Sequence, residues 1–249
     1  MQIYDAFGSR PGCGPARLPD GTRAVLACEH AASILVNGQP AFRVVCTPAL
    51  LPQMALGRLL TEGWIASAGE VDRISVCADG SRIEVELTHP LAAPRAAVQE
   101  VASSTDNLPL ARPAELHPLR PSPSLALEPE WVDTLTAAMS AGLPLYQATR
   151  SVHSCLIMRR GQILYQCEDI GRHNALDKAV GCALLDDVPL AECILYTSGR
   201  VPEDMVRKAI RAGAGALVSK SMPTLSSLDL AGKYGLQLLC ARKRPRSVS

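Results

Sequence analysis

The sequence predicts an α/β fold, with an α+β half toward the N-terminus followed by a sheet that carries helices on both faces. Three patterns carry that reading. Beyond residue 153, short apolar runs alternate with helix-length amphipathic segments, the signature of parallel crossovers. Earlier, paired apolar runs turn on Asn37-Gly38 and Asp79-Gly80, which marks hairpins. Between them, six prolines (Pro109, Pro113, Pro118, Pro121, Pro123 and Pro129) crowd one stretch and deny it regular hydrogen bonding.

Each element follows from local pattern. Residues 1–21 are rich in Gly and Pro and read as a loose arm. Residues 22–102 form an N-terminal α+β unit, in which ASILVNG and FRVVCT make the first hairpin. Pro48 opens a helix through MALGRLLTEG that Gly63 ends. VDRISV and RIEVEL make the second hairpin. The Pro-rich linker spans 103–129. In the C-terminal unit, 130–249, a helix over Glu130–Ala141 precedes a third hairpin, SCLIM and QILYQC around Arg159-Arg160-Gly161. Helix ALDKAVGCALL then leads to strand CILYT, EDMVRKAIRA to ALVSK, and LSSLDLAGKYG to LQLLCA. A hairpin followed by three helix–strand units is the order of cytidine-deaminase-like folds, an analogy of architecture that carries no chemistry.

Composition narrows the function. The chain has 249 residues, 47% hydrophobic and 20% charged, as an ordinary globular protein does. A net charge of +1 argues against nucleic acid held on a basic surface. No apolar run is long enough for a membrane span, and the N-terminus lacks the apolar core of a secretion signal, so a cytoplasmic protein is expected. The nine cysteines include no C-x-x-C, which removes a zinc ribbon and a thioredoxin-like motif. A zinc deaminase would need H-x-E and P-C-x-x-C, and a dinucleotide-binding dehydrogenase G-x-G-x-x-G after a strand; neither is present.

Three strand-end loops differ from filler. In CEDIGRHNALDK, residues 167–178, Gly171, Arg172 and His173 precede Asn174, a suitable N-cap whose helix start would take an anion; the plain alternative pairs Arg172 with Glu168 or Asp169. TSGRVPEDMV places Ser198, Gly199 and Arg200 after CILYT, glycine permitting close approach and arginine offering a forked donor. SKSMPT adds Ser219, Lys220, Ser221 and Thr224. Ligands of open α/β sheets bind beyond the carboxyl ends of strands. Hydroxyls and cations converging there, with few carboxylates, suit an anion such as a nucleotide or pterin phosphate. Arg242, Lys243, Arg244 and Arg246 at the C-terminus would suit phosphate too.

EDIGRHNALDKAVG resembles the EDVGRHNAVDK signature of the formate dehydrogenase accessory family, FdhD. TSGRVPEDMVRKAIRAG and SKSMPTLSSLDLAGKYGLQLL resemble its next blocks in order, as VNGQPAFRVVCTPALLPQMALGRLLTEGWI does upstream, over roughly residues 24–242. The resemblance implies a cytoplasmic homodimer that binds the bis-guanine-dinucleotide molybdenum cofactor, with GDP as a partial mimic. It also implies that sulfur taken from a cysteine desulfurase as a persulfide passes to the cofactor for formate dehydrogenase. It carries ligand roles to Gly171, Arg172, His173, Asn174, Asp177, Lys178, Ser198, Gly199, Arg200, Ser219, Ser221 and Thr224. A C-terminal part of the site falls on Cys240, Ala241, Arg242, Lys243, Arg244 and Pro245.

The pattern is broken in three places. The family's S-C-G-x-C-G loop falls on VASSTDNLPL, leaving Thr105 and Leu108 at the cysteine positions, and a hydroxyl cannot hold a persulfide. A double-glycine element stands as Thr149-Arg150-Ser151. The tail is short and basic. A relocated sulfur carrier would need another thiol, and Cys167 is the first candidate, with Arg172 and His173 expected to lower its pKa. The competing expectation is a non-catalytic nucleotide- or pterin-binding module that regulates a partner or a sulfur-competent paralogue.

Overall fold

The structure is a computed structural model that describes residues 1–90 and 116–241. Its first half is a mixed five-stranded sheet built from β1 (Gln2–Asp5), β4 (His30–Val36), β5 (Gln39–Cys46), β6 (Val71–Val76) and β7 (Arg82–Leu87). The strand order is β1-β6-β7-β4-β5. The stretch expected to be a loose arm is therefore ordered: β1 lies parallel on β6, and β2 (Cys13–Arg17) pairs with β3 (Arg23–Ala27) in a separate hairpin. Glycine and proline content hid two four- to five-residue strands, which need little periodicity to pair. Asn37 and Gly38 both have positive φ, 50° and 76°, as the tight turn between β4 and β5 requires.

Helix α1 (Leu51–Thr61) starts three residues later than Pro48, because Leu50 takes a left-handed φ of 56° and Pro52 sits in the first turn. Residues 116–128 form no regular element, as the prolines predict, yet they are tied down at both ends. His117 N–H donates to Gly63 O, Ser122 N–H to Tyr234 O, and the Gln237 side chain to Leu125 O.

The second half follows the expected order: α2 (Pro129–Ala141), then β8 (His153–Arg159), β9 (Gln162–Asp169), α4 (Arg172–Leu185), β10 (Cys193–Thr197), α5 (Glu203–Arg211), β11 (Ala216–Ser219), α6 (Leu225–Tyr234) and β12 (Gln237–Cys240). One short helix, α3 (Pro144–Thr149), escaped the sequence pattern. The sheet runs β12-β11-β10-β8-β9, with β10, β11 and β12 parallel and the β8–β9 hairpin antiparallel at one side. Alternate residues face opposite layers. Cys155, Ile157, Cys193 and Leu195 point to the α4 side, while Leu156, Met158, Ile194 and Tyr196 pack under α2.

The α4-side core is shared with the first half. Ile34, Phe42, Leu56 and Leu59 bury against Leu176, Val180, Leu195 and Met205. At its centre α1 lies directly on α4. A Cβ added to Gly57 would stand 1.9 Å from Asp177 O, and one on Gly181 would stand 1.8 Å from Gln53 O. The two backbones touch where neither glycine has a side chain. No helix among the described residues is long and apolar enough to cross a membrane.

Candidate functional site: a buried ion network beneath a strand-end crevice

The EDIGRHNALDK segment splits between two environments. Asp169, Asn174 and Asp177 turn inward, toward the α1–α4 interface. Asp169 takes Lys178 Nζ at 2.7 Å and accepts from Thr47 N–H, Thr47 Oγ1 and Gly171 N–H. Asn174 donates to Val45 O and to Asp169, and accepts from Arg58. Asp177 lies between Arg58 at 3.1 Å and Lys208 at 3.0 Å, with Thr61 donating to it at 2.7 Å. Glu62 completes the group at 2.7 Å from Lys208. Three cations thus face three carboxylates, and all but Glu62 are almost wholly removed from solvent.

This corrects three sequence expectations. Asn174 is not the N-cap of α4; Gly171 is, and the Asn174 amide serves the interior. Asp177 and Lys178 are core residues, 0% and 1% exposed, rather than ligand-facing ones. Arg172 pairs with neither Glu168 nor Asp169 in the described geometry. Glu168 instead accepts from Leu145 N–H and Tyr146 N–H at the start of α3. The reason is common to all: polar groups near a helix start also satisfy a second buried helix, which a one-dimensional reading does not display.

Burial alone would raise Glu62, but Lys208, Arg58 and Arg211 outweigh it and hold the carboxyl down at about 2 from 4.5. A carboxyl whose folded pKa is depressed stabilises above its unfolded value, and that contribution drains away as pH falls through the folded one. The acid limb of stability between about pH 4.5 and 2 should therefore be flatter in Glu62→Gln, as read by thermal melts at stepped pH. Parallel limbs in wild type and variant would assign the acid transition to other carboxyls.

Above the network the parallel strands end in a crevice of about 950 Å³. Ser198 and Arg200 enter it after β10, Lys220 and Ser221 after β11, and Ala241 after β12. The opposite wall comes from residues to which the sequence gave no ligand role: Thr136, Met139 and Ser140 of α2, Tyr146 of α3, then Arg150, His153 and Tyr196. Among the described residues that line it there are three fixed cations and no carboxylate. Gly199 lies close against Arg172: a Cβ there would meet Arg172 Cβ and Cδ at 3.1 Å, so the arginine would have to give by a few tenths of an ångström. Arg172 Nε has no hydrogen-bond partner among the described residues. The Tyr196 hydroxyl, beside Thr136, likewise makes no well-formed hydrogen bond there. His153 is held below its ordinary value, first by burial and then by Arg172 and His173, with Asp169 opposing them.

The other expected residues frame the crevice rather than line it. Ser219 is buried and fastens the loops together: its hydroxyl donates to Ser221 O at 2.6 Å, with Gly199 O also in reach at 3.0 Å, and accepts from Ser221 N–H. Thr224 caps α6 through a reciprocal bond with Ser227. His173 is committed to Asp204 at 2.9 Å. Arg150 takes a left-handed φ of 56° at the end of α3, a conformation suited to glycine, and its guanidinium stacks on Tyr146 at 5.3 Å. The glycines expected there would have revealed a special backbone position; the arginine conceals it.

The thiols are placed differently from expectation. Cys167 is 3% exposed and faces the α4-side core, away from the crevice. Its pKa is driven up, first by the neighbouring Cys182 thiol and then by burial, against the one lowering influence of Lys178. No cysteine is among the lining residues; Cys240 comes nearest, its Sγ 3.7 Å from Ser221 O and 3.4 Å from Met222 Sδ. Thr105, Leu108, Arg242, Lys243, Arg244, Pro245 and Arg246 lie outside the described residues.

The chain is thus an α/β protein with a cationic strand-end crevice, and comparison with known proteins shows its family. The model of the FdhD/NarQ family matches residues 27–248. A sulfur carrier protein FdhD from Streptomyces avermitilis is 31% identical over 232 residues, covering 86% of this chain and 82% of the relative. Another from Nocardia farcinica is 32% identical over 228 residues, covering 86% and 81%. A crystal structure assigned as a formate dehydrogenase accessory protein, from Desulfotalea psychrophila, superimposes with a TM-score of 0.67 at 26% identity, covering 94% of this chain and 93% of that one. The chain belongs to the FdhD/NarQ family.

Proposed function

We propose that the chain is an accessory factor for formate dehydrogenase that holds the guanine-dinucleotide molybdenum cofactor by its phosphates in the strand-end crevice. The observation that carries this reading is the lining itself: Arg150, Arg200 and Lys220 around hydroxyl groups, with no carboxylate among the described residues. A volume of about 950 Å³ suits one nucleotide arm of such a group. When bound, the cofactor supplies the metal centre at which formate chemistry occurs. This chain's part is to bind and orient. Arg200 and Lys220 take phosphate oxygens, Ser198 and Ser221 contribute hydroxyls, and Tyr146 and Tyr196 wall off solvent. A cysteine desulfurase and formate dehydrogenase are its partners in this reading, and a homodimer its working form.

A second reading, a binding module that does not itself carry sulfur, is favoured by the absence of cysteine from the described lining residues. Thr105 and Leu108 at the family's persulfide positions support it as well.

Calorimetry with GDP tests the shared part. Arg200→Ala and Lys220→Ala should each weaken binding by about 1.5–3 kcal/mol, the range for hydrogen bonds to charged groups. Arg150→Gly should weaken binding while raising thermal stability, since a non-glycine left-handed residue costs about 1–2 kcal/mol. Failure of the wild type to bind GDP would remove the reading. Binding without restoration of formate dehydrogenase activity, in a strain lacking its own accessory protein, would select the module that does not transfer sulfur.

A further inference from the structure

The crevice wall holds one group that the proposed function leaves idle. His153, at the start of β8, lines it together with Ser198. The two side chains meet, with His153 Nδ1 3.4 Å from Ser198 Oγ. Ser198 is fixed from its other side: Oγ accepts from Ser154 N–H at 2.9 Å, and Ser198 N–H donates to Ser154 O. Among the described residues, His153 Nδ1 is the acceptor in reach of the remaining hydroxyl hydrogen. The contacts therefore define a resting pair. Ser198 donates to Nδ1, and the neutral ring carries its own proton on Nε2. Arg172 adjoins the same spot. A Cβ on Gly199 would lie 3.1 Å from Arg172 Cδ and 3.5 Å from His153 Nδ1, so both side chains close on one point of the loop.

We propose that His153 is a further ligand residue of the crevice, binding the nucleotide phosphate as the imidazolium and taking up a proton from solvent as the anion enters. This role rests on the crevice holding a nucleotide phosphate, as proposed above. Protonation reverses the bond to Ser198. An imidazolium has no acceptor nitrogen, so Nδ1–H donates to Ser198 Oγ, and the Ser198 hydrogen turns away and becomes available to the phosphate. One proton thus supplies two donors, a charged ring and a released hydroxyl.

The surroundings set which state each condition favours. Burial comes first in holding the ring below its ordinary value, then Arg172 and His173 on α4, against Asp169, its register partner on β9. His173 is itself paired with Asp204, and Asp169 with Lys178. Arg150, Arg200 and Lys220 border the same crevice and add to the cost of a further positive charge. A phosphate placed among these cations removes that cost, because an opposite charge at short range favours the protonated ring. The ring's midpoint is therefore low without the anion and higher with it. Between the two midpoints binding takes up a proton, and affinity falls as pH rises. Below the lower midpoint the ring is charged in both states and this dependence disappears.

The test is calorimetry of the full chain with GDP, near neutral pH, in two buffers of different ionisation enthalpy. Wild type should take up more protons per GDP than His153→Gln, by an amount rising toward about one. The variant accounts for protons exchanged by the GDP phosphate itself. Relative to the variant, wild-type affinity should fall by up to about tenfold for each unit of rising pH between the midpoints. A measurement on the unaltered protein guards against a variant that folds poorly: nuclear magnetic resonance of the histidine rings should show a midpoint that GDP moves upward. Equal proton uptake by wild type and His153→Gln, or ring midpoints that GDP leaves in place, would overturn the role of His153 while GDP binding stands. Absence of GDP binding by the wild type would instead remove the crevice reading, and this role with it.

Discussion

Asp177→Ala should destabilise the fold by about 3–5 kcal/mol, the cost of removing one partner from a buried ion pair. Asp177 is wholly buried and is shared by Arg58 and Lys208, so its loss leaves two cations facing each other across the Thr61 hydroxyl. Asp177→Asn, which keeps size and one acceptor, should cost less. Urea titration followed by far-ultraviolet circular dichroism gives the difference. An Asp177→Ala midpoint equal to wild type would mean that water reaches Arg58 and Lys208 and that the network is not dry.

Gly57→Ala should cost about 3 kcal/mol or more, at or beyond the upper end of ordinary overpacking. In most helix interiors the same change gains about 1 kcal/mol from propensity. Here the new Cβ would fall 1.9 Å from a backbone carbonyl oxygen of α4, which no rotamer change can move aside. The helices would have to separate, lengthening the Arg58–Asp177 contact one residue away. Gly181→Ala meets the mirror obstacle, Gln53 O at 1.8 Å, and should behave alike. Adding the two substitutions tests the mechanism: once one has separated the helices, the second should cost less than it does alone. A neutral Gly57→Ala would show that the interface yields readily.

Much of the fold was legible because its signals are local. Asn37-Gly38 and Arg160-Gly161 announce their turns through positive φ at successive residues, and the helix–strand alternation after residue 153 announces its sheet. The strand-end loops were legible for the same reason, since Ser198, Arg200 and Ser221 follow directly from where β10 and β11 stop. What escaped depends on residues far apart in sequence. Nothing near Asn174 reveals that Arg58, 116 positions earlier, will claim its oxygen. Tyr146 was missed, and Arg150 was read only as a break in a glycine pair, because α3 is six residues long and too short to show a period. The same segment that reads as a ligand signature in one dimension turns out to be partly an interior lock.

Two of the four ion pairs in that lock, Arg58–Asp177 and Glu62–Lys208, join opposite ends of the chain. Arg58, Glu62 and the Thr47 hydroxyl belong to the first ninety residues; Asp169, Asp177, Lys178 and Lys208 belong to the last hundred. A fragment ending after α1 would lack the carboxylate that faces Arg58, the ammonium that faces Glu62 and the far side of the apolar layer that the two halves share. The halves are thus obligate folding partners, and a ribosome releasing the chain must finish α4 and α5 before α1 has anywhere to settle.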